Sequence, residues 1–285
     1  MGKTVAVVTG ATSGIGRSAA EQLAARGIAV IAIGRNAQKC NEAKEYILSN
    51  NPKADIQFML CDLASQNDIT RLAGDISASI EKLDIFINAA GAVSSRFTTT
   101  QDGIELQLAV NHLAPFLITH LLLKKLKAAR RARVITVSSA SHYGTRLDFS
   151  DLQMQNRYSC LGQYKRTKLC NVMFSAEINR RFFEPAGIRA FAADPGLVNT
   201  DIGCKGTSGI EKAFWSVRRR GGVSPDVPGE HLAKLALNDE AYKSGGLYWK
   251  NGAEKMPSRY SLLERPALLL WQESLNLCKI GRLSI

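Results

Sequence analysis

Thr9-Gly10-Ala11-Thr12-Ser13-Gly14-Ile15-Gly16 decides how this chain is read. An apolar run, Val5-Ala6-Val7-Val8, precedes it, and a helical pattern follows over 14–26. Glycines let a chain turn tightly and bring its backbone close to a ligand. The free N–H groups and positive dipole end of a following helix then face an anion such as a pyrophosphate. Taken alone, the glycine pattern also fits a plain strand–helix turn. The setting discriminates: a strand before, a helix after, and a second apolar run, Ile28-Ala29-Val30-Ile31-Ala32-Ile33, ending about 20 residues on.

The same alternation continues outward. Further strands are expected at 55–61, 84–89, 132–138 and 187–193, after those at 3–9 and 28–34, with one more near Gly246-Leu247-Tyr248-Trp249. Helical patterns lie between them near 14–26, 37–49, 65–81, 101–128 and 160–182. Continuous apolar runs suit strands buried on both faces. Strand–helix alternation makes a parallel sheet with helices on either side. The expected fold is therefore α/β: one doubly wound, Rossmann-type parallel sheet of about seven strands with helices on both faces. One domain is expected over 1–285, with an excursion rich in Gly, Lys and Arg over 201–229 and a last helix near 259–278.

Composition narrows the class. The chain has 285 residues, 45% hydrophobic and 22% charged, as in ordinary globular proteins. No stretch reaches the roughly 20 apolar residues of a membrane-spanning helix. The N-terminus reads as a first strand rather than a signal peptide. Gly2 is a poor myristoylation match, because Ala6 stands where Ser or Thr is needed. The six cysteines, at 40, 61, 160, 170, 204 and 278, show no C-x-x-C spacing and no cluster with histidine. Free thiols in a reducing compartment, the cytoplasm, are expected, and no metal. The net charge is +12, from 37 basic and 25 acidic residues. Scattered basic residues without interleaved aromatics argue against nucleic acid. An anionic dinucleotide, or peripheral contact with an anionic membrane surface, accounts for the charge as well.

The glycine spacing is G-x-x-x-G-x-G. Here the sequence resembles the short-chain dehydrogenase/reductase family, whose fingerprint is T-G-x-x-x-G-x-G. Four more motifs recur in order. Asp62-Leu63 follows the third strand, where the family contacts adenine. Asn88-Ala89-Ala90-Gly91 follows the fourth and is close to N-N-A-G, with Ala89 as the departure. Tyr164-Lys165-Arg166-Thr167-Lys168 carries Y-x-x-x-K. Pro195-Gly196-Leu197-Val198-Asn199-Thr200 resembles the loop that holds the nicotinamide end. The resemblance runs over about 3–250. It implies a nicotinamide dinucleotide held by Gly10, Ser13, Gly14, Ile15, Gly16, Asp62, Leu63, Asn88, Ala89, Ala90, Gly91, Pro195, Gly196, Val198 and Thr200, together with Tyr164 and Lys168.

The second strand ends Ile33-Gly34-Arg35-Asn36. An acid at this place binds the ribose 2′-hydroxyl of NAD. None is present, so nothing repels a 2′-phosphate, and Arg35 can pair with it through charge-assisted hydrogen bonds. The alternative is a solvated loop arginine. NADP(H) is expected over NAD(H), with Arg35 and Asn36 at its ribose.

Residues four apart on a helix face the same side, so Tyr164 and Lys168 point together. A phenol with pKa near 10 is a poor base at neutral pH, and a nearby ammonium favours the phenolate. The pair can thus move a proton while hydride moves. Tyr-x-x-x-Lys is a frequent accidental spacing, and its place after the fifth strand gives it weight. By the resemblance, Ser139 hydrogen-bonds the substrate oxygen, and Ser138 is its neighbour at the strand end. Asn111, in Val110-Asn111-His112, matches a helix asparagine that supports a water-linked relay to the lysine. A bent helix or a backbone-bonded role is the other reading. His112 reads as packing, and Asp194 stands where relatives often have Asn or His before Pro.

Ser139 and Tyr164 are 25 residues apart. This long insert, with Lys168-Leu169-Cys170-Asn171, resembles the retinol dehydrogenase-like branch, and the light-dependent protochlorophyllide reductases are similar there. A lipophilic carbonyl or alcohol is the implied substrate. A light-dependent tetrapyrrole reductase and a non-catalytic NADPH-binding sensor or scaffold are the alternatives. Sensors of that kind typically lose Tyr or Lys, whereas Asn111, Ser139, Tyr164 and Lys168 are all present. Ile210, Ala213, Phe214 and Val217 share one helical face, a candidate lid whose Arg218-Arg219-Arg220 end could meet lipid, or a plain surface helix. A homo-oligomer stays open. Arg35→Asp is expected to weaken NADPH binding far more than NADH binding; fluorescence titration with both cofactors checks it, and equal losses would return Arg35 to the solvated loop.

Overall fold

Runs of β-branched and small apolar residues form the strands, and their two faces fill two separate cores. β1 (Val5–Thr9), β2 (Ala29–Gly34), β3 (Ile56–Leu60), β4 (Ile85–Asn88), β5 (Arg133–Val137) and β6 (Arg189–Asp194) run parallel, as does the short β7 (Tyr248–Lys250). The parallel part of the sheet has the order β3-β2-β1-β4-β5-β6-β7. In this computed structural model, residues 3–200, 207 and 221–281 are described. Successive strand residues point to opposite faces. Val7 accordingly joins one core with Ile31, Phe86 and Val134, while Ala6 and Val8 join the other with Val30, Ile85 and Ile135. This double burial explains why the central strands β1, β2 and β4 lack a polar face.

Helices cover both sides. α1 (Gly14–Ala25), α2 (Ala37–Asn50) and α3 (Gln66–Ser79) follow the first three strands. Asn36 and Ser65 cap α2 and α3 by accepting from Lys39 N at 2.9 Å and Asp68 N at 3.2 Å. α4 (Leu106–Leu108) is a single turn, and α5 (Ala114–Leu121) and α6 (Leu123–Ala128) follow it. α7 (Cys160–Ala186) is the longest described helix and ends on Gly187, at φ +64. α8 (Asp226–Leu237), α9 (Asp239–Ser244) and α10 (Glu264–Leu277) complete the described set.

Three expectations change. The helical pattern over 101–128 is not one helix: helix begins only at Leu106, and Ala109–Leu113 is a π-helical segment in which Ala114 N reaches back to Ala109 O. Pro115 is the physical cause we assign, because it has no N–H to give to the turn containing Asn111. The sheet also gains an eighth strand, β8 (Ala253–Lys255), antiparallel to β7. Asn251-Gly252 makes the hairpin, with φ of +50 and +78. Finally, the 201–229 excursion ends inside α8, which packs on α1. The candidate lid helix at 210–220 lies outside the described residues.

Among the described residues no helix is long and apolar enough to cross a membrane. Cys40, Cys61, Cys160, Cys170 and Cys278 are free and buried.

The last helix docks where the π segment bulges. Trp271 packs edge-on against Phe116, ring centroids 4.9 Å apart. Ser274 gives its hydroxyl proton to Leu270 O, so it accepts from His112 Nε2, 2.9 Å away. Burial pushes the His112 pKa down to about 4, although the Asn171 side chain pulls it up. An unfolded histidine takes up its proton near pH 6.5. Stability is therefore expected to fall as pH drops from about 6.5 towards 4, by on the order of 3 kcal/mol in all. Urea unfolding across that range checks it: the loss should be clearly smaller in His112→Gln than in the wild type.

Candidate active site

Strand order reverses between β1 and β4, and the crevice beyond their carboxyl ends is where such sheets bind ligands. Here it is a cleft of about 640 Å³. Two loops are knitted at its floor. Thr9 Oγ1 accepts from both Ala89 N and Ala90 N at 3.2 Å. Gly10, at φ +70, lies so close that a Cβ there would meet Ala90 Cα at 2.8 Å, and one on Gly16 would meet Gly10 O at 2.5 Å. Side chains at these two positions would collide with backbone and push the loops of the cleft floor apart. Ser13, at the start of α1, makes no side-chain cap, and no acid stands in the first turn. The helix N-terminus thus presents uncapped N–H groups, which suits a phosphate. On these grounds the residues fit a dinucleotide.

Gly10, Ser13, Gly14, Ile15, Gly16, Arg35, Asp62, Leu63, Ala89, Ala90, Gly91 and Thr200 all line the cleft. Thr12, Ala92, Val93 and Asn199 line it too and were not anticipated, nor was the Thr9 hydroxyl, although the T of the fingerprint points to it. Arg35 stands at the rim, 76% exposed, 4.0 Å from Asp62 Oδ1. Asn36 is off the lining and is spent on capping α2. Asn88 is also off it: its side chain is buried at the end of β4, and neither amide atom has a hydrogen-bond partner. Pro195, Gly196 and Val198 belong to the loop after β6, whose Asn199 and Thr200 close the cleft.

The residues of the expected proton chemistry gather on α7 and the end of β5. Ser159 caps α7 by accepting from Gly162 N at 3.1 Å, and Tyr164 and Lys168 follow one turn apart. Lys168 Nζ lies 5.5 Å from the centre of the Tyr164 ring. It donates to Val137 O at 3.0 Å, and Asn171 Nδ2 donates to the same carbonyl at 3.1 Å. Burial pushes the Lys168 pKa down to about 8, and the charge of Asp194 opposes the fall. The two serines separate clearly. Ser138 is buried and donates to Lys168 O at 2.7 Å, which fastens strand to helix. Ser139 is half-buried, and its hydroxyl accepts from Ser141 N at 3.2 Å. His142 Nδ1 lies 2.8 Å from Ser139 O.

Asn111 occupies the π segment, a frequent mark of functional sites. Its Oδ1 accepts from Ala92 N at 2.7 Å, and its Nδ2 donates to Ala92 O at 3.0 Å and Thr167 Oγ1 at 3.2 Å. The side chain thus joins the cleft wall to α7. The insert before Tyr164 is tied down by a buried acid that sequence reasoning missed. Glu105 accepts from Gln107 N at 2.9 Å, Leu108 N at 2.7 Å, Gln163 Nε2 at 3.0 Å and the Tyr158 hydroxyl at 3.2 Å. Burial raises its pKa, and those hydrogen bonds pull it back.

A doubly wound sheet with a phosphate-ready helix start, and a Tyr–Lys pair one turn apart on the helix packed against β5, fits a nucleotide-dependent oxidoreductase class. Residues 4–209 match the short chain dehydrogenase family, and the chain belongs to that family. It is 36% identical to human retinol dehydrogenase 13 over 283 residues, which covers 97% of this chain and 84% of the relative. It is 33% identical to human polyprenol dehydrogenase over 282 residues, covering 95% of this chain and 83% of that one. Among solved structures, an uncharacterized protein from Mycobacterium paratuberculosis superposes with a TM-score of 0.73 at 28% identity, covering 97% of this chain and 93% of that one. The expected family and its retinol dehydrogenase-like branch are borne out.

The serine geometry gives a test. Ser138→Ala is expected to lower the unfolding free energy by about 1–3 kcal/mol through loss of a buried hydrogen bond, and Ser139→Ala by under about 1. Urea titration of both variants measures this; equal losses would mean that the two hydroxyls are held alike.

Proposed function

We propose that this oxidoreductase uses NADP(H) to interconvert a lipophilic alcohol and its carbonyl, with Tyr164 as the proton donor and acceptor. The observation that carries the reading is the cleft itself, which brings the uncapped start of α1, an acid-free end of β2 with Arg35 at the rim, and the loop after β6 to one place. Arg35 pairs with a 2′-phosphate. A bound nicotinamide would supply or take the hydride. Ser139 donates a hydrogen bond to the substrate oxygen, Tyr164 gives it the proton, and the ammonium of Lys168 favours the phenolate left behind. Lys168 is itself held in place by Val137 O. Asn111 and Thr167 align the cleft wall with α7.

The names of the relatives support the substrate class, since retinol and polyprenol are both long apolar alcohols. A substrate of that kind is reached from a membrane surface, so peripheral contact from the cytoplasmic side belongs to the proposal. The complete set of Asn111, Ser139, Tyr164 and Lys168 argues for catalysis over sensing.

Purified protein titrated with NADPH and NADH, then given retinal and polyprenal while cofactor absorbance is followed, tests the reading. NADPH is expected to bind at least about tenfold tighter than NADH, a difference one well-placed ion pair can supply. Tyr164→Phe should bind NADPH normally and turn over about 100-fold more slowly or worse. Binding without turnover in the wild type would overturn the catalytic assignment, and preference for NADH would overturn the cofactor.

A further inference from the structure

β6 ends on a buried acid. Asp194 is 3% exposed. Its Oδ1 accepts from Gly196 N at 2.9 Å, and its Oδ2 accepts from the Tyr248 hydroxyl at 2.8 Å. Lys250 Nζ lies 3.9 Å from Oδ2 and is 40% exposed. The strand register says what else it faces. Val137 pairs with Ala193, and Ser138 N donates to Ala193 O at 2.7 Å. Lys168 Nζ sits on the carbonyl of that same Val137. Asp194 is the next residue along β6, so its buried carboxylate and the ammonium lie at the same end of one strand pair without forming a direct ion pair.

Neither tight hydrogen bond needs a charge. A neutral amide would accept from Gly196 N and donate to the Tyr248 oxygen. Burying a carboxylate costs more than burying an amide unless a cation compensates. Lys250, partly exposed and at the outer limit of ion-pair distance, compensates weakly. Lys168, 2% exposed, has the complementary problem.

We propose that Asp194 is a positioning residue for Lys168: its buried carboxylate keeps the lysine an ammonium beside Tyr164 and so sets the alkaline limit of the reaction. Other ionisable groups face the pair from each neighbouring element. Tyr248 and Lys250 come from β7, His142 and Tyr143 from the turn after β5, and Tyr164 from the preceding turn of α7. Burial, then Asp194, raises the pKa of both Tyr143 and Tyr248, so they stay neutral. Burial lowers that of His142, with Ser139 O and Asp194 opposing, so it is uncharged where Lys168 titrates. Without Asp194, the burial that already brings Lys168 to about 8 acts unopposed.

The catalytic half of this inference rests on the proposed function; the coupling of the two residues does not. Lysine labelled with ¹³C at the ε-carbon reports the titration directly, with the Lys168 signal assigned by its absence in Lys168→Met. Wild type, Asp194→Asn, Asp194→Ser and Tyr248→Phe are titrated by NMR from about pH 6 to 10, around the ordinary lysine range. The midpoint is expected to fall by about one unit, tenfold in acidity, in both Asp194 variants, and to stay in Tyr248→Phe, which keeps the charge. Asp194→Ser serves if the asparagine variant fails to fold. The alkaline limb of kcat for carbonyl reduction should move with the midpoint, so the variants lose about tenfold at high pH and little at pH 6. An unmoved midpoint sinks the proposal whatever the activity. A shifted midpoint in a protein with no turnover leaves the coupling standing and overturns the proposed function instead.

Discussion

The carbonyl of Val137 is the point on which the rest of the site hangs. It is the last residue of β5, and it accepts from both Lys168 and Asn171. Ser138, the next residue, returns a bond to the carbonyl of Lys168. Strand and helix are thereby stitched in both directions within one turn of α7. Were α7 to slide or rotate on the sheet, Tyr164 and Lys168 would move together, because their relative placement is a property of the helix and their absolute placement is a property of this seam.

The seam is dry, and that shapes its electrostatics. Lys168, Glu105, His112 and Asp194 are all nearly or wholly shielded from solvent. A low local dielectric makes each hydrogen bond stronger and each unpaired charge costlier. The molecule answers in different ways. His112 sheds its proton and docks α10 as a neutral donor. Glu105 collects donors from α4, Tyr158 and α7 and so clamps the insert that precedes Tyr164. Lys168, on α7, is held at the end of β5 by Val137 O, and the charge of Asp194 at the end of β6 opposes the fall of its pKa.

Legibility varied with how local each signal was. The parallel strands were readable as continuous apolar runs, and each falls within a residue or two of its expected place. The fingerprint glycines were readable because close backbone approach tolerates nothing larger. β8 was missed although Asn251-Gly252 announced a hairpin; its three residues are all exposed, so no apolar pattern marks them. The break in the 101–128 pattern was also signalled, by Pro115, but apolar periodicity carries smoothly through a π bulge. Glu105 was invisible, since an acid in sequence looks solvated until a fold surrounds it.

The sequence by itself determined the family, the parallel sheet, the glycine cradle and the pairing of Tyr164 with Lys168, because each depends on residues near one another along the chain. Tertiary structure decided what each polar side chain is for. Ser138 and Ser139 are neighbours of identical chemistry, and only the packing of α7 against β5 turns one inward as a fastener and leaves the other half-buried. Asn36 looks like a cofactor contact in the motif and caps a helix in space, while Asn111, expected beside the lysine, also ties the cleft wall to α7. Asp194 gains its meaning from a lysine 26 positions earlier, brought to it by the register of two strands. A hydrogen bond is made by distance and angle, and those are set by the whole fold rather than by the chain's local order.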